Sequence, residues 1–316
     1  MILYIGKVVR MGIFDKIKEP VFLKESTSLR EQLAQLEALQ TTDSLLQKQI
    51  QKDIKLLKYG IAGEEKIAFE LKNSHMPMFV LHDLYIEYNG LTAQIDYLIV
   101  TKGKAFLLEC KNLYGNIEIN NNGDFIRTMK YGAHFEKEGI YSPITQNQRH
   151  LELLKAIRRD QPLNLLEKMI FEKTFYELYC PVVVLANPQT VLYAKYAKKE
   201  IKEQVIRADQ LIAYIKKKNE NALTSNENEM REWAESLLAL HKEQKLDYTE
   251  KYKKAITKKQ ETAAKDESAK QQAIICPKCG AVMVKRRASK GSYVGNEFWG
   301  CSNYPKCKCI INIDTK

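Results

Sequence analysis

Residues 94–112 read Gln-Ile-Asp-Tyr-Leu-Ile-Val-Thr-Lys-Gly-Lys-Ala-Phe-Leu-Leu-Glu-Cys-Lys-Asn. Residues 95–100 are apolar on both faces except for Asp96, and residues 105–110 are apolar except for Glu109. Strands apolar on both faces belong in a sheet covered on both sides. Lys102-Gly103 supplies the glycine that a tight connection needs. With that loop, Thr101 pairs with Lys104, paired numbers sum to 205, and Asp96 falls opposite Glu109. Alternation puts Glu109 and Lys111 on one face. Directly opposed residues sit about 4.5–5.5 Å apart at Cβ, where like charges repel. Two carboxylates there need a compensating charge. A hard divalent cation provides one and Lys111 another, which can also stabilise negative charge developing in a reaction. A buried Asp/Glu/Lys ion cluster, or a slipped register exposing all three, are the bland alternatives.

The pattern resembles the PD-(D/E)-x-K nucleases and, more fully, the nuclease-related domain (NERD) family. The residues that carry the resemblance are Gly63-Glu64, Gln94-Ile95-Asp96, Glu109-Cys110-Lys111 followed by Gly115, and Pro143-Ile144-Thr145-Gln146-Asn147. It implies an α/β fold, a mixed sheet flanked by helices and restriction-endonuclease-like. It also implies a site of Glu64, Asp96, Glu109, Lys111 and Gln146, with Mg²⁺ or Mn²⁺ on Asp96 and Glu109. Read from the residues alone, Glu64 shares a helical stripe with Ile67, Ala68 and Leu71. Acidic residues opposing the helix dipole explain Glu64 and Glu65 equally well.

Upstream, residues 26–59 are expected to form two amphipathic helices, with Ser28-x-x-Glu31 as a capping box and an interruption at residues 41–44. Gly60 and Gly63 are expected to break the chain before a short helix carrying Glu64. Downstream, a strand pair flanks Asn121-Asn122-Gly123-Asp124. Residues 131–142 are expected to be an irregular surface loop containing His134. Ser142-Pro143 is a helix start. Alternating strands and helices then run to residue 220.

The chain has 316 residues, formal charge +11 and 28% charged residues. It is expected to be cytoplasmic with no membrane span, and Met11 is a possible alternative start. Basicity favours a polyanionic partner. Residues 274–316 hold eight Lys/Arg against two acidic residues. Five of the seven cysteines also lie there, while Cys110 and Cys180 sit in apolar strands, which argues for a reducing compartment.

Cys276, Cys279, Cys301 and Cys307 have the arrangement of a four-thiolate zinc site, with Cys309 a rival for Cys307. So short a segment needs metal to fold. It resembles the zinc ribbons of bacterial type IA topoisomerases, which bind single-stranded DNA. Lys285, Arg286, Arg287 and Lys306 interleave with Tyr293, Trp299 and Tyr304, as sequence-tolerant strand binding requires. Trp299 and Phe298 can equally form a small core. The topoisomerase reaction is not implied by a ribbon alone.

The expected organisation is an N-terminal helical region (1–59), a nuclease-related domain (60–220), a helical extension (221–248), a charged linker (249–273) and a zinc ribbon (274–316). The expected function is a metal-dependent nuclease acting on DNA. The alternatives are a non-catalytic DNA-binding adaptor or a topoisomerase-associated protein.

Overall fold

The computed structural model describes residues 17–161, 164–222, 224–243, 247–271, 274–290 and 294–313. Tyr293 and both candidate start methionines lie outside the described residues. Two compact units divide the chain, Met1–Thr249 and Glu250–Lys316.

The first unit opens with β1 (Pro20–Lys24), α1 (Ser28–Glu37) and α2 (Ser44–Lys72). Then come β2 (Met78–Tyr88), β3 (Leu91–Val100), β4 (Ala105–Lys111), β5 (Asn116–Ile119), β6 (Phe125–Tyr131) and β7 (His134–Ile140). After α3 (Pro143–Arg159) and α4 (Leu165–Leu178) follow β8 (Tyr179–Leu185), β9 (Leu192–Tyr193), α5 (Lys199–Lys202) and β10 (Val205–Arg207). Helices α6 (Leu211–Asn219) and α7 (Glu227–Leu238) close it. The second unit holds α8 (Glu250–Gln271), β11 (Met283–Arg287), β12 (Glu297–Cys301) and β13 (Ile310–Asn312).

The main sheet runs β1-β2-β3-β4-β8-β10. Pairs β2/β3 and β3/β4 are antiparallel, while β1/β2, β4/β8 and β8/β10 are parallel. It is therefore the expected mixed sheet flanked by helices. One face packs Leu98, Val100 and Leu107 against α3, α4 and α7. The other packs Tyr97, Ile99, Phe106 and Leu108 against Ile67 and Leu71 of α2 and Leu211 and Ile215 of α6. A smaller sheet, β7-β6-β5-β9, extends beyond the end of β4.

The β3/β4 register is the expected one: Val100 pairs with Ala105 and Tyr97 with Leu108. Thr101 N donates to Lys104 O at 2.9 Å across the Lys102-Gly103 loop. The ladder stops one pair short of Asp96 and Glu109. There the Asp96 side chain takes over, its Oδ2 accepting from Cys110 N at 2.6 Å. Beside it, Asp83 of β2 has φ +55°. Both strands change face here, so that Leu81 and Leu84 share a core with Ile95 and Leu98.

Three expectations of local structure are corrected. Helix α2 continues unbroken through Gly60 and Gly63. The reason is packing: a Cβ on Gly63 would lie 2.6 Å from Asn112 Cβ and 3.1 Å from Cys110 Sγ. That glycine lets the helix lie against the end of β4, and tertiary contact outweighs its poor helix propensity. Residues 134–140 form strand β7 rather than a loop. Six of its seven residues are exposed, so no apolar alternation marks it, and backbone pairing to β6 holds it. At the start of α1 the cap is Thr27, whose side chain accepts from Leu29 N, one residue before the expected Ser28. Asp43 caps α2 and Ser142 caps α3.

Candidate functional site

The polar residues of the first unit gather where β4 ends. Alternation along β4 sends Leu108 and Cys110 toward α2 and sends Glu109 and Lys111 toward α3. Glu109 is 2% exposed. Its Oε1 accepts from Lys111 Nζ at 2.6 Å, and Lys111 Nζ also donates to Gln146 Oε1 at 3.1 Å. The N-cap at Ser142 and Pro143 start α3 so that Gln146 sits one turn in, above this pair.

The other carboxylate oxygen of Glu109, Oε2, is buried without a hydrogen-bond partner. Two further orphaned atoms lie on the same helix, Asn147 Oδ1 and His150 Nδ1. His150 Nδ1 stands 3.7 Å from Glu109 Oε2. Burial, with the charge of Lys111, pushes the His150 pKa down to about 4, so this imidazole is neutral at physiological pH. Asn147 has another duty: its Nδ2 donates to Leu107 O at 2.9 Å and Val182 O at 3.2 Å, stapling β4 to β8.

Asp96 lies within the field of Glu109, Glu64 and Lys111. Burial, then the charges of Glu109 and Glu64, hold its pKa well above the ordinary carboxylate range, against the Cys110 amide and Lys111. Burial likewise raises Glu109, with Lys111 opposing. Burial thus disfavours the charged form of both carboxylates.

Glu64 takes a different partner. It projects from α2 onto the sheet face opposite Glu109, where Oε2 meets His82 Nε2 at 2.8 Å and accepts from Thr27 Oγ1 at 3.3 Å. His82 Nδ1 faces the Glu25 carbonyl at 3.1 Å. A carbonyl only accepts, so Nδ1 carries a hydrogen. The bond to Glu64 then needs one more proton, on Nε2 or on the carboxylate. His82 stacks on Tyr97, with ring centroids 4.3 Å apart, and Tyr97 donates to Glu64 O at 2.9 Å.

Of the expected site residues, Glu109, Lys111 and Gln146 are in direct contact. Asp96 adjoins them through the end of β4, and Glu64 lies across the sheet bound to His82. His82 and His150 were not expected. His150 had a signal in the sequence, standing four residues after Gln146 on the same helical face. His82, inside an apolar strand, had none. The loop histidine, His134, is exposed on β7 opposite Tyr131.

In the second unit, Cys276, Cys279, Cys301 and Cys307 bring their sulfurs within 4.8 Å of one another. Among the described residues they are the group of three or more potential ligands that converges in this way. Sγ–Sγ separations are 3.7 Å for Cys276–Cys307 and 3.4 Å for Cys279–Cys301. Four sulfurs about 2.3 Å from a central zinc lie roughly 3.8 Å apart, so the group fits Zn²⁺. Cys309 is half-buried beside the cluster, its carbonyl accepting from Cys301 N at 3.0 Å. Burial opposes ionisation of Cys276, but the amides of Lys278 and Cys279 and the neighbouring thiols bring its pKa down to about 6.

Residues 59–186 match the nuclease-related domain. Residues 273–316 match the topoisomerase DNA binding C4 zinc finger. A curated relative, DNA topoisomerase 1 of Methanocaldococcus jannaschii, is 41% identical over 56 residues, covering 18% of this chain and 7% of that protein. No solved structure matches the chain. The nuclease-related domain thus holds α2 from Tyr59 onward, the β4 site and β8.

Within the zinc finger, Trp299 packs against the cysteine cluster with Ile311. Lys285 pairs with Glu297. Arg286 lies 5.7 Å from the ring centroid of Tyr304, which is exposed, as are Arg287 and Lys306. No described helix is long and apolar enough to cross a membrane.

Proposed function

We propose that the nuclease-related domain is a Mg²⁺- or Mn²⁺-dependent nuclease that hydrolyses DNA phosphodiesters, with the zinc finger holding the DNA. The observation that carries this reading is the orphaned, buried Glu109 Oε2, beside a second carboxylate whose pKa burial and neighbouring charge raise. A buried acceptor without a donor, on one carboxylate and beside a second, fits a hard divalent cation. Asp96 and Glu109 would hold it. When bound, such an ion supplies positive charge against the phosphate and makes water a stronger acid.

The chain's own residues supply the rest. Lys111, fixed between Glu109 and Gln146, donates to a phosphate oxygen or to the attacking water, where negative charge grows in the transition state. Gln146 fixes the Lys111 ammonium. His150, neutral and packed behind Glu109, limits how that carboxylate turns. Glu64 acts through its field on Asp96 rather than as a third ligand.

A second reading, a DNA-binding adaptor with a silent nuclease fold, draws on the capture of Glu64 by His82 and Thr27. Cleavage of plasmid and single-stranded DNA with Mn²⁺ separates the two. Wild type is expected to cut, and Lys111→Ala to lose roughly two to three orders of magnitude in rate, as for loss of one transition-state donor. Equal cleavage by both proteins would remove Lys111 from the mechanism, and none by either would favour the adaptor.

A further inference from the structure

Beyond Lys111 the surface changes character. Tyr114, three residues on, is 45% exposed. Gly115 then turns with φ +101°, and a Cβ there would lie 2.5 Å from Thr128 O, so the loop is pressed flat on β6. Arg127 Nε donates to Tyr114 O at 2.5 Å and Tyr114 OH to Lys130 O at 3.0 Å. Tyr131 at the hairpin end is 55% exposed, its ring centroid 6.3 Å from that of Tyr114.

The hairpin returns along β7 to Tyr141, 57% exposed, immediately before α3. The Arg149 guanidinium lies 5.5 Å from the Tyr141 ring centroid. Arg149 is one helical turn from Gln146, which touches Lys111. Tyr114 thus follows Lys111 in the chain with Tyr131 beside it, and Tyr141 meets Arg149, one turn from Gln146.

The geometry points to a platform, Tyr114, Tyr131 and Tyr141, that stacks on the bases of an unpaired DNA strand passing the β4 site. The inference rests on the nuclease reading of that site and names its substrate form. Three observations select this occupant. Tyr114 follows Lys111 by three residues, and Tyr141 is linked through Arg149 to the turn of α3 that holds Gln146. Cations accompany them: Arg149 over Tyr141 and Arg127 at the Tyr114 carbonyl, with Arg127 partly offset by Glu138 at 3.2 Å. The rings are broad and open, yet each is tied by a hydrogen bond or cation and so keeps its place. A duplex hides its base faces in its own stack, so open rings gain most from bases that are not paired.

The test uses the full chain. In a Lys111→Ala background, an oligonucleotide carrying 5-iododeoxyuridine is photocrosslinked as a single strand and as a duplex, and the modified peptides are mapped by mass spectrometry. Crosslinks to Tyr114, Tyr131 or Tyr141 from the single strand are expected. Crosslinks restricted to residues 274–316 would overturn the platform. This readout needs no cleavage, so it stands apart from the fate of the nuclease reading. In parallel, Tyr131→Ala/Tyr141→Ala is expected to weaken single-strand binding at least about fivefold, as loss of one stacked base does, with duplex binding held. Equal loss on both forms, or no loss on either, would also overturn it.

Discussion

The main sheet and the zinc finger hold their shape in different ways. In the sheet, Tyr97, Ile99, Phe106 and Leu108 are almost wholly buried against α2 and α6. Burial of that kind stabilises by about 1.5–3 kcal/mol per large apolar side chain. In the finger, three short strands surround a core that is itself mostly cysteine, with Met283, Trp299 and Ile311 against it. The thiols occupy the place that aliphatic side chains take in the first unit. The polar groups differ in parallel. In the finger they converge on the centre and form the core. Around the sheet, the buried side-chain atoms left without a partner among the described residues lie on Glu109, near the end of β4, and on Asn147 and His150 of α3.

The sharpest way to break the comparison is to disable the four-cysteine group that fits zinc. Cys276→Ser, or strong chelation, is expected to unfold residues 274–313 outright, because a four-thiolate zinc site contributes about 10–16 kcal/mol. Heteronuclear NMR of the full chain would show loss of finger resonances alone. Spectra that persist under chelation would mean that the strands stand without zinc.

On the sheet side the corresponding change is Ile99→Ala. It is expected to cost about 2–5 kcal/mol, read as a lower denaturant midpoint for the first unit, with zinc content unchanged. A smaller effect sharpens the contrast at the β4 site. Burial and neighbouring charge raise the Asp96 pKa in the fold. Its protonated form is therefore favoured, with the contribution fully present below the unfolded value of about 3.9 and lost as pH rises through the raised folded value. At neutral pH without added metal, Asp96→Asn is expected to melt above wild type. Added Mn²⁺ is expected to lift wild type and leave the variant where it was. A shift of both by the same amount would place the ion elsewhere. Smallest of all, Asp43→Ala removes the cap that accepts from Leu45 N at 3.0 Å and Leu46 N at 3.3 Å. About 1 kcal/mol is expected, again in the first unit alone.

Much of this arrangement is legible in the residues themselves. Lys102-Gly103 gives the β3/β4 register, because a two-residue loop fixes which residues of the flanking strands face each other. The ladder's early end at Asp96 is not legible, since it depends on a side chain displacing a backbone partner. Nor is the unbroken α2: Gly60 and Gly63 read as breakers until β4 is known to run beneath Gly63. Strand β7 is hidden for the opposite reason, being exposed on both sides and so carrying no period. The contact of Glu109 with Lys111 follows from alternation. The pairing of Glu64 with His82 joins residues from a helix and a strand that no local pattern relates.

Helix α2 is a rod of 29 residues, roughly 43 Å at 1.5 Å per residue. Its outer half leans on α1, with Lys58 paired to Glu37 at 2.7 Å and Gly60 against Leu29. Its inner half bears Glu64. With no joint between them, the contacts to α1 and the Glu64–His82 pair are borne by one continuous shaft. The N-terminal helices are therefore braced on the same rod that sets Glu64 in place.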